Sequence, residues 1–220
     1  MWQPFFLSDD LGWEFFVAQG DSTHIAAAAW HEAGHALAAM REGRTVILAE
    51  ICRHVPGRGR TVHFPFRRLN RFNPLLGTGD AKASWRDTLD RNLAEVRILL
   101  AGPLAEAKAL NQSLRAIGAD YDLATCHRIA RRLSNLHDFV VLEGRLEKVS
   151  PEELMNEERA RVRRWLGRPD TWRAVCTIAA TLMERRRIGS AEVIRAYLEA
   201  RSELQRPLDL DWEFLPQRKR

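Results

Sequence analysis

The chain has 220 residues, with 34 basic and 29 acidic side chains, a net charge of +5 and 45% hydrophobic residues. This composition is typical of a folded chain of about one to two domains and excludes a largely disordered protein. No apolar run approaches the roughly 18 residues that cross a bilayer, and three widely spaced cysteines, Cys52, Cys126 and Cys176, indicate no disulfide framework.

The start of the chain does not resemble a signal peptide. The first ten residues contain no basic side chain and end in Asp9 and Asp10. An odd number of separated cysteines is typical of a reducing compartment. We therefore expect a cytoplasmic protein without a transmembrane segment.

Residues 1–19 form a separate aromatic extension. The chain has 7 tryptophans and 9 phenylalanines, and six of these fall in this segment: Trp2, Phe5, Phe6, Trp13, Phe15 and Phe16. Such a density of large apolar side chains needs a surface to cover it. We expect the extension to pack against the rest of the chain or against a second copy.

The next segment begins with a helix and continues with strands. An alanine-rich run after capping residues predicts a helix over 22–41, with Gly43 as its stop. Apolar and β-branched residues predict strands over 45–52 and 60–66, joined by a turn. Residues 67–82 have the composition of a loop.

A helical pattern extends from 84 to 101 and resumes over 104–110. Between these segments Gly102 and Pro103 predict an interruption or kink, because proline lacks the helix donor and clashes with the preceding turn.

Capping signals predict the remaining helices. They cover 118–133, a segment beginning at the capping box of 150–153, 169–187 and 191–204. The predicted fold class is therefore mainly α, an α+β arrangement with a small β-sheet near the N-terminal third. One domain over 20–205 would be followed by a basic tail over 206–220.

The first predicted helix contains an H-E-x-x-H motif formed by His31, Glu32 and His35. Histidines four residues apart lie on one face of a helix, where both imidazoles can bind one Zn²⁺. The intervening glutamate is then placed to take a proton from a metal-activated water and to pass it to a leaving amine.

A catalytic zinc site needs a third protein ligand. Glu106 in an apolar helix, and Asp120 and Asp122 at a helix start, are candidates from the residues alone. The remaining histidines are assigned no ligand role: His24, His54, His63, His127 and His137. His24 lies two helical turns from the motif, and the others are interpreted as rim or structural residues.

Four segments resemble the peptidase domain of the FtsH-type ATP-dependent zinc metalloproteases. They are 29–37 around the zinc helix, 99–106, 118–126 with the pattern G-A-x-x-D-L, and 182–193 near the C-terminal end. The resemblance covers about residues 22–200. Pro103 stands where that family usually has arginine.

The resemblance implies a helical zincin-like peptidase domain over 20–205 with Zn²⁺ as its cofactor. It assigns His31, His35 and Asp122 as metal ligands and Glu32 as the catalytic base. Glu106 would then lie near the site and orient a ligand. The implied function is a zinc-dependent metalloendopeptidase that acts on protein or peptide substrates.

The chain departs from that family in one large respect. It contains no Gly-Lys dipeptide and therefore no Walker A loop, so we expect no AAA+ module. We expect a freestanding peptidase that does not itself use ATP. We keep two possible partners: an ATPase that acts in trans, and further copies of the same chain in a homo-oligomer.

Two other function classes compete with the enzyme. A noncatalytic binding or regulatory protein could keep the fold, but it would have no use for Glu32. A nucleic-acid-binding regulator could use residues 185–190 and the following helix as a helix-turn-helix. The basic residues are spread among acidic ones, as on a mixed solvated surface, so no nucleic-acid partner is expected.

Overall fold

The computed structural model of the chain describes residues 20–52, 55, 57–64, 81–140 and 150–205. The predicted aromatic extension, nearly all of the predicted loop and the C-terminal tail lie outside these residues. In chain order the elements are α1 (Gly20–Arg41), β1 (Val46–Ile51), β2 (Gly59–His63), α2 (Ala81–Ala109), α3 (Asp120–Val140), α4 (Pro151–Leu166), α5 (Pro169–Arg185), β3 (Arg187–Ile188) and α6 (Ser190–Gln205).

The protein is mainly helical with one small antiparallel sheet, as the sequence predicts. The strand order is β2-β1-β3, so β1 lies in the middle and pairs with both neighbours. None of the helices in the described part of the chain is long and apolar enough to cross a membrane.

The strand β3 corrects the prediction that the fifth helix extends to residue 187. Arg186 has a φ of 66° in the left-handed region, which ends α5 after Arg185. The carbonyl of Arg186 then accepts a hydrogen bond of 2.9 Å from the backbone amide of Ile51 in β1. Pairing with a strand that is distant in sequence thus determines where this helix ends.

The predicted interruption of the second helix at Gly102 and Pro103 is wrong. A single helix, α2, continues from Ala81 to Ala109 with Pro103 inside it. Proline removes the amide that would bond to the carbonyl four residues earlier. However, Pro103 and Leu100 are fully buried, and Leu104 is buried beside them. Burial of this apolar stretch against α1 therefore outweighs the lost hydrogen bond.

The helix α1 forms the centre of the molecule and packs against α2, α5, β1 and β2. Buried residues occur on all of its faces, including Ala28, Ala29, Trp30 and Ala38. A helix that is apolar all round is typical of such an internal position. It ends at Arg41 as predicted, two residues before Gly43, which has a φ of 74°.

Small residues allow α1 and α2 to approach closely. A Cβ atom at Gly34 would lie 2.4 Å from the carbonyl oxygen of Ala101 and 2.8 Å from the Cβ of Ala105. Since real Cβ atoms do not make such contacts, the two helices can keep this spacing only with glycine at position 34. The same spacing brings the histidines of α1 next to α2.

Gly34→Ala should therefore destabilise the protein. Alanine is intrinsically better than glycine inside a helix by about 1 kcal/mol, but we expect overpacking against Ala101 to cost about 1–3 kcal/mol and to exceed this gain. Urea unfolding measures the difference. Gly118→Ala is the control, because nothing lies within 4 Å of a Cβ at that position. Equal stability of the two variants would contradict the close-packing argument.

Candidate metal centre

Three side chains that the sequence predicts as ligands meet at one point. His31 and His35 come from α1, and Asp122 comes from the first turn of α3. One donor atom from each lies within 4.8 Å of the other two. The Oδ2 atom of Asp122 is 2.9 Å from Nε2 of His31 and 3.4 Å from Nε2 of His35. Two imidazole nitrogens and a carboxylate oxygen thus converge on one small volume.

The other ring nitrogen of each histidine has a partner that orients the ring. Nδ1 of His35 donates to the main-chain carbonyl oxygen of Ile98 at 2.8 Å. Because a carbonyl can only accept, Nδ1 carries a proton, and Nε2 is the ring nitrogen that faces Asp122. Nδ1 of His31 lies 2.8 Å from Oε2 of Glu106. Such partners fix the orientation of metal-binding imidazoles.

Glu106 and Asp122 therefore occupy opposite sides of the His31 ring. Glu106 contacts Nδ1, whereas Asp122 contacts Nε2, the nitrogen that faces His35. This places Glu106 where the sequence analysis expected it, beside the site as a partner of a histidine. Asp120, the other candidate, is exposed at the start of α3.

A glycine of α2 makes room for the second histidine. A Cβ atom at Gly102 would lie 2.3 Å from Nε2 of His35 and 2.5 Å from its Cε1. From the sequence alone, Gly102 is expected only as part of a helix interruption. A glycine within an apolar helix is itself a signal of close approach, and here the group that approaches is an imidazole.

Glu32 lies outside the three-residue cluster and faces the sheet. Its side chain is buried, with 5% of the residue exposed. The hydroxyl oxygen of Thr61 in β2 is 2.7 Å from Oε2 of Glu32 and 3.2 Å from its main-chain oxygen. A Cβ atom at Gly59 would lie 2.5 Å from Cγ of Glu32. No sequence motif marks Thr61 or Gly59 as functional residues.

The other described histidines do not join the cluster. His24 is exposed on the first turns of α1. Nδ1 of His63 lies 3.3 Å from the guanidinium of Arg44, and burial together with this cation lowers the pKa of His63. His127 is half-buried on α3. His54 and the side chain of His137 lie outside the described part of the structure.

The carboxylates determine the charge of the cluster. Burial lowers the pKa of His31, but hydrogen bonds with Asp122 and Glu106 outweigh it and raise the pKa to about 9. Burial raises the pKa of Asp122, but its hydrogen bonds with His31 and His35 hold the pKa well below its ordinary value. Asp122 is therefore an anion, and the proton on His31 supplies the positive charge beside it. A metal cation that binds His31 would displace this proton.

Cys126 lies one turn after Asp122 on α3. Burial raises the pKa of its thiol to about 12. It therefore stays protonated at neutral pH, and its Sγ atom lies 3.7 Å from the carbonyl oxygen of Val96.

No family model matches the chain, and neither does any curated protein. The resemblance to the FtsH-type peptidases thus stays a prediction from the motifs. The fold and the site define a helical protein with a candidate metal-binding triad.

In the presence of a chelator, the free energy of unfolding should fall as the pH rises from about 6.5 to about 9. The pKa of His31 is raised from 6.5 to about 9, so its imidazolium stabilises the fold below the lower value, and this contribution is lost as the proton leaves. Urea unfolding at several pH values measures this. His31→Gln should remove the effect, and parallel pH profiles for both proteins would contradict it.

Proposed function

We propose that the protein is a zinc-dependent metalloendopeptidase whose residues 20–205 form a zincin-like peptidase domain. The observation that carries the proposal is the convergence of the His31, His35 and Asp122 donor atoms beside a helix that also carries the buried Glu32, one residue after His31. A metal-binding protein without catalysis would need the three donors but not a buried acid beside them.

The donor set fits zinc. A set of two imidazole nitrogens and one carboxylate oxygen occurs in catalytic zinc sites. Such sites use three protein ligands and keep one coordination position open. Both imidazoles have the hydrogen-bonded partners that such ligands require, namely Glu106 and the carbonyl of Ile98. When bound, zinc supplies a Lewis acid that acidifies water and polarises a substrate carbonyl.

Glu32 supplies the proton transfer in this proposal. Its carboxylate is one residue from His31 in sequence and is held against β2. The carboxylate accepts a proton from the attacking water and later donates it to the leaving amine. The hydroxyl of Thr61 engages Oε2, so Oε1 keeps its full capacity to accept that proton.

The edge strand offers a place for an extended substrate. The order β2-β1-β3 leaves one side of β2 without a partner strand within the described residues. A peptide could add to this side through main-chain hydrogen bonds. Because β2 also carries Thr61, a peptide bound there would lie beside Glu32. This arrangement favours flexible or unfolded segments as substrates.

The purified protein should bind one Zn²⁺ per chain, and Asp122→Ala should lose most of it. Removal of one of three protein ligands should weaken binding by well over tenfold, since even the loss of an orienting partner costs about 10–100-fold. Elemental analysis after dialysis measures the metal. Asp120→Ala on the same turn is the control, because Asp120 is exposed. Loss of zinc in Glu106→Ala but not in Asp122→Ala would overturn the ligand assignment.

Glu32→Gln should keep the zinc and the fold but lose peptide hydrolysis. Glutamine has nearly the same shape but cannot accept the proton, so turnover should fall by about 10²–10⁴-fold. Cleavage of an unfolded protein and of fluorogenic peptides measures the rate. Glu184→Gln, at an exposed position, is the matched control. Activity equal to that of the wild type would refute the role of Glu32, and loss of zinc would make that role structural.

A further inference from the structure

We propose that Thr61 is a positioning residue that holds the carboxylate of Glu32 in place for proton transfer; this rests on the peptidase function proposed above. The hydroxyl oxygen of Thr61 lies 2.7 Å from Oε2 of Glu32. Within the described part of the chain, no other side chain forms a hydrogen bond to this carboxylate. The two residues are 29 positions apart, so only the fold brings them together.

The hydrogen bond has a defined direction. A hydroxyl has one proton to donate, and its two acceptors within reach are Oε2 of Glu32 at 2.7 Å and the main-chain oxygen of Glu32 at 3.2 Å. The shorter contact is to the carboxylate, where a charge-assisted bond is also the stronger one. Thr61 therefore donates to Oε2, and Oε1 stays the acceptor for a further proton.

A second residue on the same strand face confines the carboxylate from another side. A Cβ atom at Gly59 would lie 2.5 Å from Cγ and 2.8 Å from Oε1 of Glu32. Gly59 and Thr61 are two residues apart and so point to the same face of β2. Strand β2 thus contacts Glu32 through a hydroxyl and through bare backbone, which together fix where its carboxylate lies.

The support for Thr61 is itself rigid. Thr61 pairs with Ala49 of the central strand, and Ala49 is fully buried. A β-branched side chain has few rotamers, so its hydroxyl keeps one direction at little entropic cost. A glutamate has three side-chain torsions and would otherwise sample several positions. Displacement of a catalytic group by about 1 Å can cost about 10²-fold in rate.

Replacement of the hydroxyl tests this role. Thr61→Val keeps the branched shape but cannot donate, and Thr61→Ser keeps the donor. We expect Thr61→Val to lower kcat by about 10–100-fold with unchanged KM and zinc content, and Thr61→Ser to retain most of the activity. Thr177→Val is the matched control, because it makes the same change on α5, where the hydroxyl donates to the main-chain oxygen of Arg173. A wild-type kcat in Thr61→Val, an equal loss in Thr61→Ser, or a change confined to KM would overturn the proposal.

A double-mutant cycle supplies a readout that does not depend on hydrolysis. Urea unfolding of Glu32→Ala, Thr61→Val and the double variant should be non-additive, because each single change removes the same contact. Additive effects would overturn the contact on which the proposal rests. Absence of hydrolysis in the wild type would instead refute the peptidase function, while the cycle still reports whether the two side chains are coupled.

Discussion

The close contact between α1 and α2 is the constraint on which the rest of the site depends. Gly34 of α1 lies against the backbone of Ala101, and Gly102 of α2 lies against the ring of His35. With a larger residue at Gly34 the two helices would have to separate, and with one at Gly102 the ring of His35 would have to move. The hydrogen bonds from the histidines to Ile98 and Glu106 would then lengthen, because both partners belong to α2. The position of each imidazole is thus set by helix packing.

Electrostatic interactions, in addition to helix packing, hold Asp122 next to the two histidines. Asp122 is brought to the histidines by α3, which packs along α2. A buried carboxylate is costly unless its charge is compensated. Here the compensation comes from His31, whose pKa is raised to about 9 by Asp122 and Glu106 although burial opposes it. The cluster therefore holds one more positive charge than neutral histidines would give it, and a bound cation could take over that role.

The sequence predicted what is local and missed what depends on distant packing. The placement of His31 and His35 on one helix face follows from helical geometry alone. The residues alone did not decide between Asp122 and Glu106 as the third ligand, and that choice came from the resemblance. The interruption predicted at Pro103 is wrong, because a local sequence pattern carries no information on the free energy gained by burying the surrounding residues. Thr61 was missed because nothing near it in sequence indicates that its hydroxyl meets a residue 29 positions earlier.

The ligands and the proposed base are supported by different surfaces of the same helix. The side of α1 that carries the histidines contacts α2 and α3, whereas Glu32 is held by Thr61 and Gly59 of β2. Substitutions on α2 should therefore disturb metal binding first, and substitutions on β2 should disturb proton transfer first. Because β2 is the edge strand on which a peptide could pair, the element that orients the base is also the one that a substrate would contact. In the proposed peptidase, substrate binding and base orientation would share one strand, whereas metal binding would depend on the helices.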